Sequence, residues 1–184
     1  MAKIIQREIV LPETKPETEW LRGRPVQKVS PKRKHGELQL WLGERLRSWA
    51  RGRGRVASEW RFRIAPPGEM IRPLVPDLSF LAYDRMPEAA ENDWDTPLVA
   101  PNAAVEIRSP GDRSADLEDK IATLLRAGTH VVIVVDPRTR TVAAIDGGRE
   151  RSFSGPDTFE HDALPGFSFS LAEMFAALDL DPPV

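Results

Sequence analysis

Three residues of types that bind metal ions or stabilise charge stand at informative places in the sequence: Asp77, Glu106 and Lys120. Asp77 begins the apolar run DLSFL, and Glu106 lies inside the apolar segment AAVEI. A carboxylate within a core strand costs free energy unless it is paired or bound to a cation. Two such oxygen ligands, with room left for water and a phosphate, suit Mg²⁺ or Mn²⁺.

A divalent ion held in this way favours phosphodiester hydrolysis, because it lowers the pKa of a bound water and stabilises charge on a scissile phosphate. Two carboxylates held close together also repel each other. Replacing either by its amide is therefore expected to leave the metal-free protein equally or more stable. The competing interpretation is structural, with Asp77 capping a turn and Glu106 pairing with an arginine.

Arg108 follows Glu106 by two residues, so strand alternation predicts that both side chains lie on one face of the sheet. Its guanidinium either pairs with Glu106 or points past it toward a substrate, and we expect the second arrangement. Because arginine stays protonated, Arg108 can hold a phosphate but is not suited to act as a general base.

Lys120 belongs to a segment, residues 114–127, whose spacing predicts an amphipathic helix ended by Gly128. Its predicted buried face consists of Leu117, Ile121, Leu124 and Leu125. Lys120 lies about 40° beyond that face, from where its ammonium can lean toward the sheet. The alternative is a lysine at the core boundary whose charge reaches solvent.

The other elements must place these residues. A hairpin is predicted for residues 19–29, and a helix is predicted to begin at Ser30-Pro31 and to stop at Gly52 and Gly54. A polar loop is expected at 85–101. Strands are predicted at 55–64, 75–83, 103–107, 130–136 and 141–145, and a last helix at 171–178. This order predicts an α/β fold with a central mixed β-sheet flanked by helices.

The chain resembles the Uma-type restriction endonuclease family, a branch of the PD-(D/E)XK nuclease superfamily. Two segments carry the resemblance most specifically, PDLSFL and PNAAVEIRSPGDRSADLEDKIATLLRAGTHVVIVVDPRTRTVAAI. The segment EWLRGRPVQKVSPKRKHGELQLWLGERL is similar to the family's N-terminal hairpin and first helix, and ALPGFSFSLAEMF to its closing segment. The resemblance implies a restriction-endonuclease-like core. We expect residues 1–18 to form an extended arm and residues 19–184 a single nuclease-like domain.

The resemblance also implies roles for individual residues. Asp77 and Glu106 match the metal-binding pair, and Lys120 matches the lysine that this family carries on the helix after the glutamate strand. Glu19 and His35 match an acidic residue before the hairpin glycine and a histidine at the start of the first helix, both accessory positions.

Two positions depart from the family pattern. Arg24 stands where members often have an acidic residue, and Arg108 stands where the wider superfamily carries its lysine.

Composition narrows the partners. The 184 residues are 41% apolar and 29% charged, as is typical of a globular protein. The chain has no cysteine, which excludes disulfides and thiolate metal sites. No apolar run approaches the roughly 20 residues that span a bilayer, so we expect a cytoplasmic protein without a membrane partner. The net charge is −2, yet basic residues crowd the first third: Lys28, Lys32, Arg33, Lys34, Arg45, Arg47, Arg51, Arg53, Arg55, Arg61 and Arg63. They form either a surface that follows nucleic-acid phosphates or an ordinary solvated surface.

These observations predict an endonuclease that hydrolyses phosphodiester bonds in DNA with Mg²⁺ or Mn²⁺. The alternative is a catalytically degenerate nucleic-acid-binding or interaction module of the same fold, and a hydrolase of another phosphoester stays open. A homodimer is one expected state, since enzymes that cut two strands often act as symmetric dimers, and Trp41 and Trp49 could contribute to its interface.

Overall fold

The computed structural model describes residues 7–87 and 90–179. The predicted hairpin is confirmed, with strands β1 (Thr18–Leu21) and β2 (Arg24–Gln27) joined by Arg22 and Gly23. Both turn residues have positive φ angles, 49° and 75°, as two-residue hairpin turns of type I′ require. This turn reverses the chain so that β2 pairs antiparallel with β1.

The remaining helices and strands, in chain order, are α1 (Arg33–Trp49), β3 (Gly54–Ser58), β4 (Phe62–Ile64), β5 (Arg72–Leu74), β6 (Leu78–Ala82), β7 (Ala103–Ile107), α2 (Ser114–Arg126), β8 (Val131–Asp136), β9 (Thr141–Asp146), β10 (Arg149–Ser154), β11 (Thr158–Glu160), β12 (Ser168–Ser170) and α3 (Leu171–Ala176). Two short 3-10 turns are present, Tyr83–Arg85 leading into the predicted polar loop and Glu91–Trp94 within it. Within the described ranges, no helix combines the length and the apolar character that crossing a bilayer demands.

Six strands form one mixed sheet in the order β10-β9-β8-β7-β6-β3. Strands β7 and β8 are parallel and joined through α2, whereas every other neighbouring pair is antiparallel. Gly128 ends the crossover helix with a φ of 107°, as its position predicted. The predicted α/β fold with a central mixed sheet and flanking helices is confirmed.

Two apolar layers cover the sheet. On one face Leu38, Leu42 and Leu46 of α1 pack with Phe80 and Val105. On the other face the apolar layer joins α2, the sheet and the small β4–β5 pair, and it contains Leu124, Leu81, Ala104, Val132, Phe62 and Leu74. Side chains of β7 therefore alternate between the two layers, and the α2 face is the one on which Ala104 lies.

Three predicted boundaries were wrong. The first helix begins at Arg33 rather than at Ser30-Pro31. Hairpin pairing continues past β2, where Lys28 N–H donates to Glu17 C=O (2.8 Å), so the chain needs the next residues to turn into the helix.

The segment 55–64 is two strands in different sheets rather than one. Glu59 has a φ of 49°, in the left-handed region that side chains other than glycine rarely adopt, and it separates β3 from β4. The segment 75–83 is likewise shorter, since β6 begins only at Leu78. Pro76 has no N–H to continue the ladder, so the chain before Leu78 leaves the sheet.

The two tryptophans of α1 pack within the chain. The Trp41 ring lies 5.7 Å from Phe169 and the Trp49 ring 4.9 Å from Phe80, each in an edge-on arrangement. These contacts give both rings a place on the core, and a homodimer interface around them stays a prediction.

Candidate functional site

The two acidic residues meet where β6 begins and β7 ends. Antiparallel pairing sets Leu78 opposite Val105, and Asp77 and Glu106 are the next residues beyond this last pair. Strand alternation puts Glu106 on the same face as Ala104, toward α2. Asp77 is fixed beside it, because its Oδ2 accepts a hydrogen bond from Ile107 N–H (2.7 Å).

A pocket of about 380 Å³ opens at this end of the sheet. Its lining includes every residue that the sequence singled out for the site: Glu19, His35, Asp77, Glu106, Arg108 and Lys120. The hairpin supplies one wall, α1 and α2 supply two others, and the strand ends form the floor. Convergent polar groups in a concave pocket are the usual arrangement of a binding or active site.

Lys120 lies at the base of the pocket and is 3% exposed. Its ammonium donates to Glu106 Oε2 (2.9 Å) and Val75 C=O (3.0 Å) and lies 2.8 Å from Glu19 Oε1. Glu19 is held in place from its other side, since the same Oε1 accepts from Val75 N–H (2.6 Å). Lys120 thus joins the hairpin, the sheet and α2.

The buried face of α2 differs from the predicted one. Its buried residues are Asp116, Lys120, Thr123 and Leu124, whereas Leu117, Ile121 and Leu125 are only half-buried. The helix is turned toward its polar side chains because each has a partner. Asp116 accepts two hydrogen bonds from Arg24 (2.9 and 2.7 Å), and Thr123 accepts one from Arg72 (2.6 Å).

Sequence reasoning missed Lys28 as a site residue. Its ammonium donates to Asp77 Oδ1 (2.7 Å) and Val75 C=O (3.0 Å) and lies 2.7 Å from Glu59 Oε2. The period-two alternation of the hairpin was the available signal, because Arg24, Val26 and Lys28 share its less exposed side. Nothing in the local sequence shows that this side covers the pocket.

Sequence reasoning also missed Glu59, which belongs to a group of possible metal-ligand atoms that lie close together. One atom each from His35, Glu59 and Asp77 lie within 4.8 Å of one another. His35 Nε2 is 3.6 Å from Asp77 Oδ1, and its Nδ1 shares a hydrogen bond with Ser109 Oγ (3.1 Å). Asp77 therefore stands between two neighbouring sets of possible ligands, one with Glu106 and one with His35 and Glu59.

The two arginines that depart from the family pattern point away from Glu106. Arg108 donates to Ser114 Oγ (3.1 Å), and within the described residues no carboxylate lies in ion-pair range of its guanidinium. Arg24 forms its two-pronged contact with Asp116 at the pocket wall. Within the described residues, neither arginine forms an ion pair with Asp77 or Glu106.

The buried cluster holds more acids than bases. Glu19, Asp77 and Glu106, with the exposed Glu59 beside them, lie among the ammonium groups of Lys28 and Lys120 and the imidazole of His35. Burial raises the pKa of Glu106 to about 8, with Asp77 and Glu19 adding to the effect and the lysines opposing it. Burial also disfavours ionised Asp77, but Lys28, Lys120 and His35 outweigh it and hold that pKa below its usual range.

Both lysine pKa values are raised, since the surrounding carboxylates outweigh the burial that would lower them. The short contacts of Lys120 suggest an ionised Glu106, whereas the raised pKa of Glu106 suggests a protonated one. Both follow from the same burial: it raises the pKa of Glu106, and the close ammonium of Lys120 opposes that rise.

A divalent cation fits this donor set. Glu106 Oε1 is buried without a hydrogen bond, although Lys120 Nζ lies 2.8 Å from it at an unfavourable angle. A buried acceptor without a donor is uncommon in proteins. Carboxylate oxygens that carry excess negative charge are the ligands that Mg²⁺ and Mn²⁺ prefer.

Comparison with known proteins agrees with the geometry. Residues 6–172 match the model of the Uma2 family, which is described as "Putative restriction endonuclease". A search of curated proteins found no significant match. Among solved structures, the fold is similar to that of a protein from Anabaena variabilis ATCC 29413 described as a "putative nuclease belonging to DUF820", with a TM-score of 0.80 and 27% identity over 91% of this chain and 94% of that chain. The family match spans most of the sequence, so this chain belongs to the Uma2 family and has the fold of a nuclease.

Proposed function

We propose that this protein is an endonuclease that hydrolyses phosphodiester bonds in DNA and depends on Mg²⁺ or Mn²⁺ held by Asp77 and Glu106. The observation that carries the proposal is that two buried carboxylates line one pocket where β6 begins and β7 ends. Family membership supports the nuclease activity, and the chemistry of the donor set supports the cation.

When bound, such a cation supplies Lewis-acid stabilisation of phosphate charge and lowers the pKa of a water molecule at the site. The chain's own residues prepare that position. Asp77 cannot turn away, because its Oδ2 is held by Ile107 N–H and its side chain is buried. Glu106 would hold the cation through its ionised carboxylate, and Lys120 keeps that carboxylate in place.

Lys120 acts as a fixed positive charge rather than as a general base. Its pKa is raised by Glu106 and Glu19 despite burial, so it keeps its proton at neutral pH. A protonated lysine at the base of the pocket offsets the negative charge that builds up on a phosphate during hydrolysis. Arg108 also lines the pocket, and its guanidinium is available to hold a phosphate oxygen.

The basic surface that was predicted to follow nucleic-acid phosphates has fewer available cations than the eleven basic residues assigned to it from the sequence. Five of its basic side chains pair with carboxylates: Lys28, Arg33, Arg55, Arg61 and Arg63. Within the described residues the others have no carboxylate partner: Lys32, Lys34, Arg45, Arg47, Arg51 and Arg53. They follow α1 from its beginning to the turn after it. Arg45 and Arg53 stack on Trp41 and Trp49, whereas Lys32, Lys34, Arg47 and Arg51 are exposed. Exposed cations of this kind suit the phosphate backbone of DNA.

One contact favours the alternative, a nucleic-acid-binding module without turnover. Lys28 already neutralises Asp77, the residue on which the proposed cation depends. If that ion pair were permanent, the fold could bind nucleic acid and never cut it. A cation titration separates the two functions, because only the enzyme binds Mg²⁺ or Mn²⁺ through Asp77.

The direct test is a cleavage assay on supercoiled plasmid DNA with Mg²⁺, with Mn²⁺ and with EDTA. We expect nicking or linearisation by the wild type with either ion, no product in EDTA, and no product from Asp77→Ala. Glu150→Gln is a matched control, because Glu150 is an exposed acid on edge strand β10, remote from the pocket. Cleavage by Asp77→Ala at the wild-type rate would contradict the proposal.

A further inference from the structure

The ammonium group of Lys28 lies inside a cage of oxygen atoms. Asp77 Oδ1 and Glu59 Oε2 are each 2.7 Å from its Nζ, and Val75 C=O is 3.0 Å away. All three hydrogens of the ammonium can therefore be used. Two carboxylates and a carbonyl are also the oxygen types that bind a divalent cation. Lys28 thus occupies, with its own charge, the kind of surroundings that a metal ion would take.

Asp77 has little other capacity for a cation. Its Oδ2 accepts from Ile107 N–H and its Oδ1 accepts from Lys28. Any ion that binds Asp77 at the pocket side approaches Oδ1. Two cations on one carboxylate oxygen repel strongly in a buried site, where charges are poorly screened.

The partners of Lys28 differ in how firmly they are held. Asp77 is buried and tied to the sheet, whereas the Glu59 side chain is 41% exposed. Val75 C=O is shared, since Lys120 also donates to it (3.0 Å). A lysine on a flexible four-carbon stem can therefore leave Asp77 and Val75 while it keeps Glu59.

We propose that Lys28 is a tethered cation that competes with the divalent ion for Asp77 and moves outward with Glu59 when the ion binds. Lys28 is then a positioning residue that sets the ion concentration at which the site fills. This inference rests on the proposed cation site at Asp77. It also explains how one fold can hold a lysine on Asp77 and still bind a metal.

The test is calorimetric titration of Mn²⁺ and Mg²⁺ into the full chain after EDTA treatment and its removal. Lys28→Met should tighten binding by about tenfold or more, because it removes a competing charge at close range. Lys15→Met is the matched control, since Lys15 is exposed, lies outside the pocket and has no carboxylate partner within the described residues, and its affinity should equal that of the wild type. A residue with only a structural role would loosen binding when replaced.

The outcomes separate this inference from the proposed function. Equal or weaker binding by Lys28→Met, with binding lost in Asp77→Asn, would overturn the role of Lys28 and leave the cation site intact. If neither the wild type nor Lys28→Met binds the ion, both the role of Lys28 and the cation site are overturned. Retained binding in Asp77→Asn would also overturn both, because the ion would then lie elsewhere.

A second measurement covers the case in which Lys28→Met does not fold. In wild-type protein with ¹⁵N- and ¹³C-labelled lysine, the Lys28 side-chain signals can be assigned by their loss in Lys28→Arg. We expect saturating Mg²⁺ to shift the Lys28 Nζ signal and to speed its hydrogen exchange, as the ammonium leaves the buried cage. Bound Mg²⁺ with an unchanged Lys28 signal would overturn the inference.

Discussion

The ammonium of Lys120 lies 2.8 Å from Oε1 and 2.9 Å from Oε2 of Glu106, at the base of a pocket where both side chains are buried. Only Oε2 receives a hydrogen bond, which leaves Oε1 without a donor. Lys120 on α2 therefore places a positive charge beside the Glu106 carboxylate on β7. Glu106 is at once held by a lysine and incompletely satisfied, and this combination has measurable consequences.

The stability of the metal-free protein should fall as the pH rises from about 5 to 8. The pKa of Glu106 is raised from 4.5 to about 8 in the folded protein. Its contribution to stability is therefore complete below the unfolded pKa and is lost as the pH rises through the folded one. Melting curves in EDTA should show a falling Tm across this window, and Glu106→Gln should flatten the fall. If the Tm of the wild type instead rises up to pH 8, and rises as much as the Tm of Glu106→Gln, the prediction is contradicted.

The two carboxylates should respond differently to neutralisation in metal-free buffer at pH 7. Like-charge repulsion alone predicted that both amides would be tolerated, but the pKa of Asp77 is lowered by Lys28, Lys120 and His35. Asp77→Asn removes the partner of a buried lysine and should cost about 3 kcal/mol of unfolding free energy. Glu106→Gln should cost less or stabilise.

Denaturant unfolding in EDTA measures both variants, with Asp162→Asn as an exposed control. If Asp77→Asn is as stable as the wild type, the ion pair with Lys28 contributes nothing to the fold.

Much of this site could be predicted because it depends on local pattern. Strand alternation and apolar context pointed to Asp77 and Glu106, and helical spacing brought Lys120 near the sheet. Lys28 and Glu59 could not be found in this way. Lys28 reaches Asp77 across 49 positions of sequence through the fold of the hairpin. Glu59 lies beside Asp77 because β3 pairs with β6 up to Ser58 and Leu78, and Glu59 N–H then donates to Asp77 C=O (3.2 Å).

The mistaken face of α2 has a related cause. Apolar spacing assigns leucines to the inside, but Asp116 and Lys120 find buried partners on other elements, Arg24 on β2 and Glu106 on β7. Those ion pairs decide the orientation of the helix, and a single sequence does not show which charges will be paired.

Arg108 should serve the substrate rather than the cation. Its guanidinium lies on Ser114, away from Glu106, so Arg108→Leu should leave Mn²⁺ affinity unchanged. Cleavage should fall by about tenfold or more, the loss expected for a hydrogen bond from a charged donor. Calorimetry and plasmid cleavage measure the two effects, and Arg149→Leu on β10 controls for the loss of charge. Tighter Mn²⁺ binding with cleavage preserved would show that Arg108 competes with the ion instead.

Arg47 and Arg51 should contact DNA phosphates. Both are exposed near the end of α1, and within the described residues neither has a carboxylate partner. Each phosphate contact adds about 0.9 to the slope of log affinity against log salt concentration, so the double change to glutamine should lower that slope by about 2. Fluorescence anisotropy in EDTA measures it without cleavage. The equally charged control, Arg138→Gln with Arg149→Gln, should keep the slope, and a wild-type slope in the Arg47 and Arg51 variant would place the DNA on another surface.

The central claim is that Asp77 and Glu106 together hold the divalent ion, and the most direct measurement is the anomalous scattering of Mn²⁺ in crystals of the wild-type protein grown with the ion. We predict an anomalous peak within bonding distance of carboxylate oxygens from both residues, about 2.0–2.4 Å for oxygen ligands of such cations. A peak held by His35, Glu59 and Asp77 without Glu106, or no peak in the pocket at saturating Mn²⁺, would contradict it.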